Sequence, residues 1–501
     1  MRFRFDFAAK RAQLSPDALA FAEVESGRQL NFAKFNARAE GGANLLERLG
    51  VAAGDRVAVL CHNSATFFEV LFASGKIGAV LVPLNWRQTV AELAPILVDC
   101  GAGTLLHDTA TAALAQALAD LGGVRCISFA DYNHAAGKEV STSRRDGAWP
   151  AERIWYLLYT SGTTGRPKAV IQTVGMALAN GINVQQATAL SSADRTVNFL
   201  PLFHTAGINL HTLPVFIAGG KNTVVSKFEI DPLLDLIAGN QVTVFFAVPT
   251  IYQALSQHSH FAEADLSRVR HWGCGGAPLA ENLIRRFLAK AVRVCNGMGM
   301  TETGLTVFLM DPERAAAKIG SVGKPQLLSQ VRLVDVDGRD VADGEHGEIL
   351  FRGPNITPGS FNNPEATKAA VTADGWLRSC DIARRDADGY YFIVDRIKDM
   401  YISGGENVYP AEVEAVLGSH PAVLEAAVIG VADARWGEVG HAAVRLRPAH
   451  TLAAGELRAF ARGQLAAYKV PKYVSVVEDF PRTAAGKVQK HFLRRSLAGK
   501  S

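Results

Sequence analysis

The amino-acid sequence predicts an α/β fold: a large N-terminal domain of stacked α/β sheets with a β-rich subdomain, followed by a small α+β C-terminal domain. Apolar runs of strand length alternate with helical patterns over most of the chain, which is typical of buried sheets covered by helices. The rhythm changes after about Gly323 and again after Arg396. With 501 residues, the chain is also too long for one ordinary core, so two or three domains are expected.

The stacked sheets are predicted from strands that lead into helices. Strand-like runs stand at 56–61, 80–84 and 242–246, and helical patterns follow them at 65–75, 90–97 and 249–257. These runs are apolar throughout rather than alternating, which indicates sheets that are buried on both faces.

The β-rich subdomain is predicted from short strands at 331–336, 347–352 and 389–394. Asp-Gly pairs separate these strands, and such pairs favour tight turns between antiparallel neighbours. The region is therefore expected to be a small antiparallel sheet.

The C-terminal domain is predicted from the return of mixed helices and strands after Arg396, ending in a basic stretch around 487–495. We place the boundary at Asp395, which gives domains of residues 1–394 and 395–501. Neither an internal repeat nor a low-complexity tract interrupts this organisation.

The composition is that of a folded protein without a basic footprint for nucleic acid. Hydrophobic residues make up 48% of the chain and charged residues 20%. The formal net charge is only +4, from 52 Lys and Arg against 48 Asp and Glu. Because no Lys/Arg block stands out, we expect no nucleic-acid partner.

The cysteines and the N-terminus favour a cytoplasmic setting. The six cysteines form no C-x-x-C pair, so they indicate neither a zinc site nor a redox pair. The first residues lack the apolar stretch of a signal peptide, and no segment approaches the ~20 apolar residues of a membrane span. A reduced cytoplasmic location and no membrane span are therefore expected.

The stretch YTSGTTGRPKAV, at 159–170, is dense in hydroxyl groups and glycine and carries two basic residues. Backbone N–H groups and hydroxyls of such a loop suit phosphate oxygens, and a lysine adds positive charge. A flexible surface turn is the alternative, but it does not need this density of Ser and Thr. The loop is not a Walker A motif, because Lys168 is followed by Ala169 rather than by Ser or Thr.

This loop resembles the phosphate loop of the AMP-forming acyl-CoA synthetases and adenylating enzymes, which usually have Gly where Ala169 stands. The resemblance implies that the loop holds the phosphates of ATP and that Thr164 lies beside Mg²⁺. The loop residues concerned are Thr160, Ser161, Gly162, Thr163, Thr164 and Lys168. Six further motifs follow in the family's order as far as Lys487, so the match is not coincidental.

Three of these motifs precede the β-rich subdomain. The motif PLFHTAG resembles the segment in which His204 borders the acid pocket and gates the entry of ATP, although a lone histidine is more often a core residue. GGAP resembles the turn along adenine, and NGMGMTE the segment that contacts adenine, the α-phosphate through Thr301 and Mg²⁺ through Glu302. The residues implied in nucleotide binding are Gly276, Ala277, Pro278, Gly297, Met298 and Met300. The family usually has an aromatic residue at the position of Met298, so weaker adenine stacking is expected.

The remaining motifs lie around and beyond the predicted boundary. The resemblance implies that Asp381 binds the ribose hydroxyls, although Ser379-Cys380 replaces the usual Thr-Gly before it. It implies that Asp395 is a hinge and that Lys487 is the catalytic lysine. The other residues assigned to ATP or CoA are Arg396, Lys398, Gly404, Gly405 and Asn407.

The resemblance implies a two-step reaction with ATP, Mg²⁺ and CoA. A carboxylate attacks the α-phosphate of ATP to give acyl-AMP and pyrophosphate, with Lys487, His204, Thr301 and Glu302 as the catalytic group. The small C-terminal domain is expected to be mobile and to rotate about Asp395, after which a CoA thiolate attacks the acyl-adenylate.

The acid pocket implied by the resemblance is mostly apolar or small. Its residues are Thr205, Ala206, Gly207, Ile208, Asn209, Trp272, Gly275 and Gly304. These segments contain no Lys or Arg for a second carboxylate, which argues against a short dicarboxylic acid. The pattern favours a hydrophobic monocarboxylate: a fatty, aryl-propenoic or ring-bearing propionic acid.

Three functions stay open at this point. The first is an acid:CoA ligase whose partners are the carboxylic acid, ATP and CoA. The second is an adenylating enzyme that loads the thiol of a separate carrier protein. The third is an inactive sensor of acyl-adenylate or acyl-CoA, which the retained Lys487, Glu302 and Asp381 disfavour. The oligomeric state is not predicted, and a homodimer is compatible with the sequence.

Overall fold

Parallel sheets with helices packed on them make up most of the molecule, which confirms the α/β class. The computed structural model describes residues 3–138, 147–161, 167–277, 279–482 and 488–497. Its strands are β1 Phe3–Phe5, β2 Leu19–Glu23, β3 Gln29–Asn31, β4 Arg56–Leu60, β5 Val80–Leu84, β6 Thr104–His107, β7 Arg125–Ser128, β8 Ala148–Pro150, β9 Ile154–Ser161, β10 Pro167–Thr173, β11 Arg195–Asn198, β12 Lys221–Val224, β13 Val244–Ala247, β14 His271–Cys274, β15 Val294–Met298, β16 Phe308–Leu309, β17 Lys324–Pro325, β18 Gln330–Val334, β19 His346–Arg352, β20 Leu377–Arg385, β21 Tyr391–Arg396, β22 Tyr401–Ser403, β23 Glu406–Val408, β24 Val423–Asp433, β25 Gly437–Leu446 and β26 Tyr473–Val476.

Helices connect most of these strands. The α-helices are α1 Phe7–Leu14, α2 Phe32–Arg48, α3 Ala65–Ile77, α4 Val90–Cys100, α5 Ala112–Asp120, α6 Phe129–Lys138, α7 Val174–Thr188, α8 Thr212–Ala218, α9 Ile230–Ala238, α10 Pro249–Gln257, α11 Glu281–Leu288, α12 Pro364–Ala369, α13 Pro410–Gly418, α14 Ala454–Arg462 and α15 Lys490–Leu497. A π-helical turn spans Ala206–Leu210, and 3₁₀ turns span Ser259–Phe261, Thr301–Thr303 and Ala467–Lys469.

Two sheets form the first half of the N-terminal region. One has the strand order β10-β9-β5-β4-β6-β7 and is parallel except for β10, and the other has the order β11-β12-β2-β3. Helix α3 is buried along nearly its whole length and contacts β5 and β9 of the first sheet and β2 of the second. A helix that is apolar on all sides belongs between two layers, so α3 forms the centre of this core.

A third sheet has the order β13-β14-β15-β16-β17 and carries the segments predicted to surround adenine and the acid. Its first three strands are parallel, and helices α10 and α11 pack against their apolar face. Ligands of open α/β sheets bind at the carboxyl ends of parallel strands, where β14 leads into Gly275 and β15 leads into Gly299.

The β-rich region after residue 323 is the four-stranded antiparallel sheet β18-β19-β20-β21. A separate sheet of order β23-β22-β25-β24, with β26 beside β25, follows and is covered by α13, α14 and α15. The boundary predicted at Asp395 lies one residue before the end of β21, and it stays a prediction.

Several elements lie where the sequence places them. Strand β5 and helix α10 have the predicted bounds, whereas β21 begins at Tyr391 rather than Gly389. The shift has a local cause: Gly389 has a left-handed φ of +81°, and the Asp386 carboxylate accepts hydrogen bonds from the backbone of Asp388 and Tyr390, so the turn is longer. None of the helices in the described ranges has the length and apolar character needed to cross a bilayer.

Candidate active site

The predicted phosphate loop connects two strands of one hairpin. Strands β9 and β10 are antiparallel, and their register sets Thr160 opposite Lys168. The Thr160 hydroxyl donates to the carbonyl of Lys168 at 3.4 Å. Of the predicted loop, Gly162, Thr163 and Thr164 lie outside the described residues, and Ser161 is described only as the last residue of β9.

The segment with Thr301 and Glu302 is tied to the same hairpin. The Gln172 amide on β10 donates to the carbonyl of Thr301 at 2.8 Å. The backbone N–H of Thr357 donates to the carbonyl of Glu302 at 2.8 Å, while its hydroxyl donates to the carbonyl of Ile171 at 2.7 Å. Thr301 and Glu302 therefore lie beside β10, the strand that continues the predicted phosphate loop.

A buried network of amides joins this segment to the predicted acid pocket. Asn209 accepts a hydrogen bond from the hydroxyl of Tyr156 and donates to Thr205 at 3.0 Å and to Gln172 at 3.4 Å. Asn180 on α7 donates to the carbonyl of Asn209 at 2.6 Å. Burial raises the pKa of Tyr156, so its phenol stays protonated and remains the donor. We call Tyr156, Gln172, Asn180, Thr205 and Asn209 the amide network.

The π-helical turn that carries Asn209 is also fixed by hydrogen bonds near its N-terminal end, at Gly207. The carbonyl of Gly207 accepts from the Asn198 amide at 2.7 Å and from the Thr212 hydroxyl at 3.0 Å. A Cβ atom on Gly207 would stand 2.4 Å from the carbonyl oxygen of Pro201, so only glycine fits there. π-helical turns are rare and occur frequently at functional sites.

His204 immediately precedes this turn and is half-buried. Its backbone N–H donates to the carbonyl of Pro201 at 3.1 Å, and its own carbonyl accepts from Gly207 at 3.1 Å. Its ring lies 4.9 Å from that of Phe203, which in turn lies under the guanidinium of Arg87. The backbone therefore fixes His204 at the start of the predicted acid pocket.

The turn after β14 has the small residues that the resemblance implies. Gly275 is buried, and a Cβ there would come within 2.9 Å of the Phe246 ring and 3.0 Å of the Gly297 carbonyl. Gly276 has a φ of +85°, and both Gly276 and Ala277 are exposed, while Pro278 lies outside the described residues. This exposed backbone turn is open to a flat ligand.

Met298 and Met300 are half-buried and pack against the core of the β-rich sheet, which includes Phe308 and Phe351. Gly297 pairs with Leu309 across β15 and β16. Gly304, also assigned to the acid pocket, is buried with a φ of +65°. The predicted adenine contact of Met298 stays a prediction.

The structure does not bring Trp272 to the π-helical turn. Its indole packs against Phe245 and Phe287, with ring centroids 5.1 and 6.1 Å away. Phe246 follows Phe245 on β13 and therefore faces the opposite side of the sheet. Phe246, which sequence reasoning did not single out, lies on the side of the predicted acid pocket, 6.1 Å from the ring of His211.

Asp381 and Arg396 lie side by side on β20 and β21. They are paired in register, and the Arg396 guanidinium donates to the Asp381 carboxylate at 2.9 Å. Cys380, where the family usually has glycine, has a left-handed φ of +60° and is exposed. A left-handed conformation is the one that glycine adopts most easily, so this protein keeps the backbone conformation at this position although the residue is cysteine.

The buried carboxylate of Asp395 links β21 to the C-terminal sheet. It accepts from the backbone N–H groups of Arg396 and Ala411, both at 2.7 Å, and Ala411 lies in the first turn of α13. Burial raises the pKa of Asp395, and the ammonium of Lys490 partly offsets this effect. Lys398, three residues further, is exposed.

The Gly404-Gly405 turn lies between β22 and β23, with φ values of +62° and +89°. Gly404 donates to the carbonyl of Trp436 at 2.9 Å, and Asn407 is exposed beside the turn. Lys487 lies outside the described residues. The described residues nearest to it on either side, Arg482 and Val488, form an antiparallel bridge.

A magnesium ion fits the donor set that the site offers. Among the described residues, no group of three or more His, Cys, Asp or Glu side chains could hold a metal alone. Mg²⁺ is usually held by one or two carboxylates together with phosphate oxygens, which agrees with the predicted role of the single carboxylate of Glu302 beside the phosphates of ATP.

Comparison with known proteins identifies the family of this chain. The model of the AMP-binding enzyme family matches residues 8–361, and that of the AMP-binding enzyme C-terminal domain matches residues 412–487. A feruloyl-CoA synthase from an Amycolatopsis species is 42% identical over 97% of each chain. An indoleacetate–CoA ligase from Aromatoleum aromaticum is 36% identical over 98% of each chain.

A solved structure agrees with these matches over nearly the whole molecule. The o-succinylbenzoate CoA synthetase from Bacillus subtilis, in complex with its acyl-adenylate intermediate, superimposes with a TM-score of 0.90 and 31% identity, covering 99% of each chain. The chain therefore belongs to the AMP-binding enzyme family and, with it, to the adenylate-forming acyl-CoA ligases that its motifs resemble.

Proposed function

We propose that this enzyme is an ATP-dependent acid:CoA ligase that activates a hydrophobic monocarboxylate bearing a ring. In the first step a carboxylate oxygen attacks the α-phosphorus of ATP, the bond to the bridging oxygen of the β-phosphate breaks, and pyrophosphate leaves. In the second step the sulfur of a CoA thiolate attacks the acyl carbon, and AMP leaves with the electron pair of the broken C–O bond.

The observation that supports this proposal best is the hydrogen-bonded path between the two halves of the site. It runs from Asn209 on the π-helical turn through Gln172 to the carbonyl of Thr301, next to Glu302. Adenylation needs the acid and the α-phosphate side by side, and positioning of this kind is a large part of phosphoryl-transfer catalysis.

The roles of individual residues are those that the resemblance implies. Thr301 contacts the α-phosphate, and Glu302 holds Mg²⁺ beside the phosphates. Mg²⁺ supplies charge neutralisation for the pyrophosphate that leaves. Asp381 accepts hydrogen bonds from the ribose hydroxyls, and Lys487 neutralises charge between the carboxylate and the α-phosphate.

The walls of the pocket favour a ring-bearing acid over a fatty acid. Gly273 and Gly275 lack side chains and lie directly against the ring of Phe246, so this wall is flat. Aromatic rings pack well in flat, apolar slots of this kind. Two of the relatives are named for acids with an aromatic ring, ferulate and indoleacetate.

The test is pyrophosphate release with ATP and Mg²⁺ across a panel of acids from acetate to palmitate, including cinnamates and ring-bearing propionates, with and without CoA. Turnover with the ring-bearing acids that depends on CoA is expected. Preference for palmitate would overturn the acid class, and turnover without CoA stimulation would indicate loading of a carrier protein instead.

Lys487→Ala tests the assigned lysine in the same assay. Adenylation is expected to fall by orders of magnitude, while thioester formation from supplied acyl-adenylate persists. Equal loss of both half-reactions would contradict the role given to Lys487.

A further inference from the structure

A small cavity lies beside the π-helical turn, on the side away from the amide network. Its volume is about 10 Å³, enough for one water molecule. Ala206 and Leu210 of the turn line one side, and Phe246 of β13 lines another. Asn198 and His211 complete much of the remaining lining, so the cavity has both polar and apolar walls.

The cavity lies between the two walls of the predicted acid pocket. Ala206 belongs to the turn that follows His204, while Phe246 packs on the glycines of the opposite wall, Gly273 and Gly275. Phe246 is half-buried, whereas its neighbour Phe245 on the same edge strand, β13, is fully buried. Part of Phe246 is therefore accessible outside the core, and the cavity lies beside the same residue.

One buried histidine lines this cavity, and a second lies next to the first. His211 is 6% exposed, lines the cavity, and has a ring nitrogen, Nδ1, without a hydrogen-bond partner among the described residues. His271 is 3% exposed, lies 6.4 Å away between ring centroids, and has no partner for either ring nitrogen within the same part of the chain. Buried polar groups are nearly always paired, so the unpaired Nδ1 of His211 at the cavity points to water or a ligand.

Both rings are neutral at physiological pH. The pKa of His211 is lowered to about 3 and that of His271 to about 4, mainly by burial, and the positive charge of Arg270 contributes to both shifts. Asp194 acts on His211 in the opposite direction, but its carboxylate is paired with the Arg270 guanidinium. A neutral imidazole offers one donor and one acceptor, so an unpaired ring nitrogen can pair with a hydroxyl group in either tautomer, and it carries no positive charge to neutralise a carboxylate.

We propose that this cavity is a polar subsite at the inner end of the acid pocket, in which His211 forms a hydrogen bond with a hydroxyl group on the ring of the acid. His271 lies behind His211 and keeps its surroundings polar. The subsite rests on the proposed function, since it concerns the far end of the same acid. It narrows the acid class to hydroxylated aryl acids, whose hydroxyl takes the place of a water molecule.

The subsite predicts that a fatty acid binds poorly in this pocket. A terminal methyl group would displace water from His211 without offering a hydrogen bond, and the buried nitrogen would stay unpaired. A second carboxylate would meet a neutral imidazole, because the Arg270 guanidinium is bound by Asp194. A phenolic hydroxyl satisfies the nitrogen at no such cost.

The test compares cinnamic acid with 4-hydroxycinnamic acid as substrates of the wild-type enzyme and of His211→Phe. The wild type is expected to favour the hydroxylated acid by about tenfold in kcat/KM, which corresponds to one buried hydrogen bond. In His211→Phe the ratio of the two kcat/KM values should fall towards one, mainly through loss with the hydroxylated acid.

Two further variants complete the design. His211→Gln keeps a polar group at the cavity and should retain part of the preference, which guards against a folding defect in His211→Phe. His441→Phe is the matched control, because His441 is also fully buried with an unpaired Nδ1 among the described residues but lies on β25 of the C-terminal sheet. It should leave the ratio unchanged.

Three outcomes would overturn the subsite. The first is a wild-type ratio near one, and the second is an unchanged ratio in a folded His211→Phe. The third is an equal fall in His441→Phe. These outcomes leave the ligase reaction itself intact, whereas failure of every aryl acid to release pyrophosphate would overturn the proposed function and the subsite together.

Discussion

The two sides of the π-helical turn Ala206–Leu210 differ in whether their buried polar groups have hydrogen-bond partners. Towards β9 and β10, Asn209 has three side-chain partners and Asn180 binds its carbonyl. Towards β13 and β14, the ring nitrogens of His271 and one of His211 have no partner among the described residues. The same turn thus separates the amide network, whose members are hydrogen-bonded to one another, from two histidines, His211 and His271, that have unpaired ring nitrogens.

The difference teaches how a site can be both rigid and selective. Fully paired buried networks fix side chains and backbone in one arrangement, which is what positioning at the α-phosphate requires. Unpaired polar groups in a cavity cost stability until a ligand or water binds them, so they are suited to recognising a substrate. Each side can be altered separately, and the consequences should differ in kind.

Asn209→Leu is expected to have the largest effect, because it removes the centre of the amide network. Tyr156, Thr205 and Gln172 lose a partner in a buried setting, and the free energy of unfolding should fall by roughly 2 to 4 kcal/mol. Pyrophosphate release should fall on the order of 100-fold. Urea unfolding and the steady-state assay measure these two quantities.

Asn222→Leu is the matched control for that substitution. Asn222 is also fully buried, on β12, but neither atom of its amide has a partner among the described residues. Its replacement should leave stability unchanged or raise it. A loss as large as that of Asn209→Leu would show that volume and not hydrogen bonding explains both effects.

A fall in pH should lower the free energy of unfolding through His211 and His271. Because the folded pKa of His211 is about 3 and that of His271 about 4, both below the ordinary value of 6.5, the unfolded chain binds more protons between these limits. Their contribution to stability is complete above pH 6.5 and is lost as the pH falls towards 4. Each histidine should change the free energy of unfolding by about 1.4 kcal/mol per pH unit in this window.

His271→Phe sharpens that expectation. Urea midpoints measured from pH 7 to pH 5 should decline less steeply in this variant than in the wild type, because one of the two groups no longer takes up a proton. An identical slope in both proteins would mean that other ionisable groups govern acid sensitivity.

Gln172→Leu should reduce pyrophosphate release by about tenfold, the effect of one buried hydrogen bond, because the carbonyl of Thr301 loses its amide donor. The fall should appear in kcat rather than in the KM for the acid, since Gln172 acts on the phosphate side. Asn183→Leu is the control: its buried amide binds Leu328 and Ser329 instead, so it should lower the melting temperature without this loss of kcat.

Much of this fold could be predicted from the sequence because runs of apolar residues indicate which segments are buried. Val80–Leu84 is a strand and Pro249–Gln257 a helix, as their patterns indicate. The motifs also located the segments that meet at the carboxyl ends of β14 and β15.

The amide network could not be predicted in the same way. Gln172 and Thr301 are 129 residues apart, and Tyr156 and Asn209 are 53 apart, so no local pattern connects them. Trp272 shows a second limit. A motif identifies a stretch of strand, but successive residues face opposite sides, and a difference of one position decides between core and pocket.

Thr205→Val is expected to have the smallest effect, and it tests whether the amide network acts as a unit. The substitution keeps the shape of the side chain and removes only the oxygen that accepts from Asn209 at 3.0 Å. The Asn209 amide retains Gln172 as an acceptor, so the cost should stay near 1 kcal/mol and activity should fall by less than about tenfold. The double variant of Thr205→Val with Gln172→Leu tests cooperativity, because it removes both acceptors of the Asn209 amide. If the two changes together cost more than the sum of their separate effects, the network shares its hydrogen bonds cooperatively; strict additivity would show that Thr205 and Gln172 hold Asn209 independently.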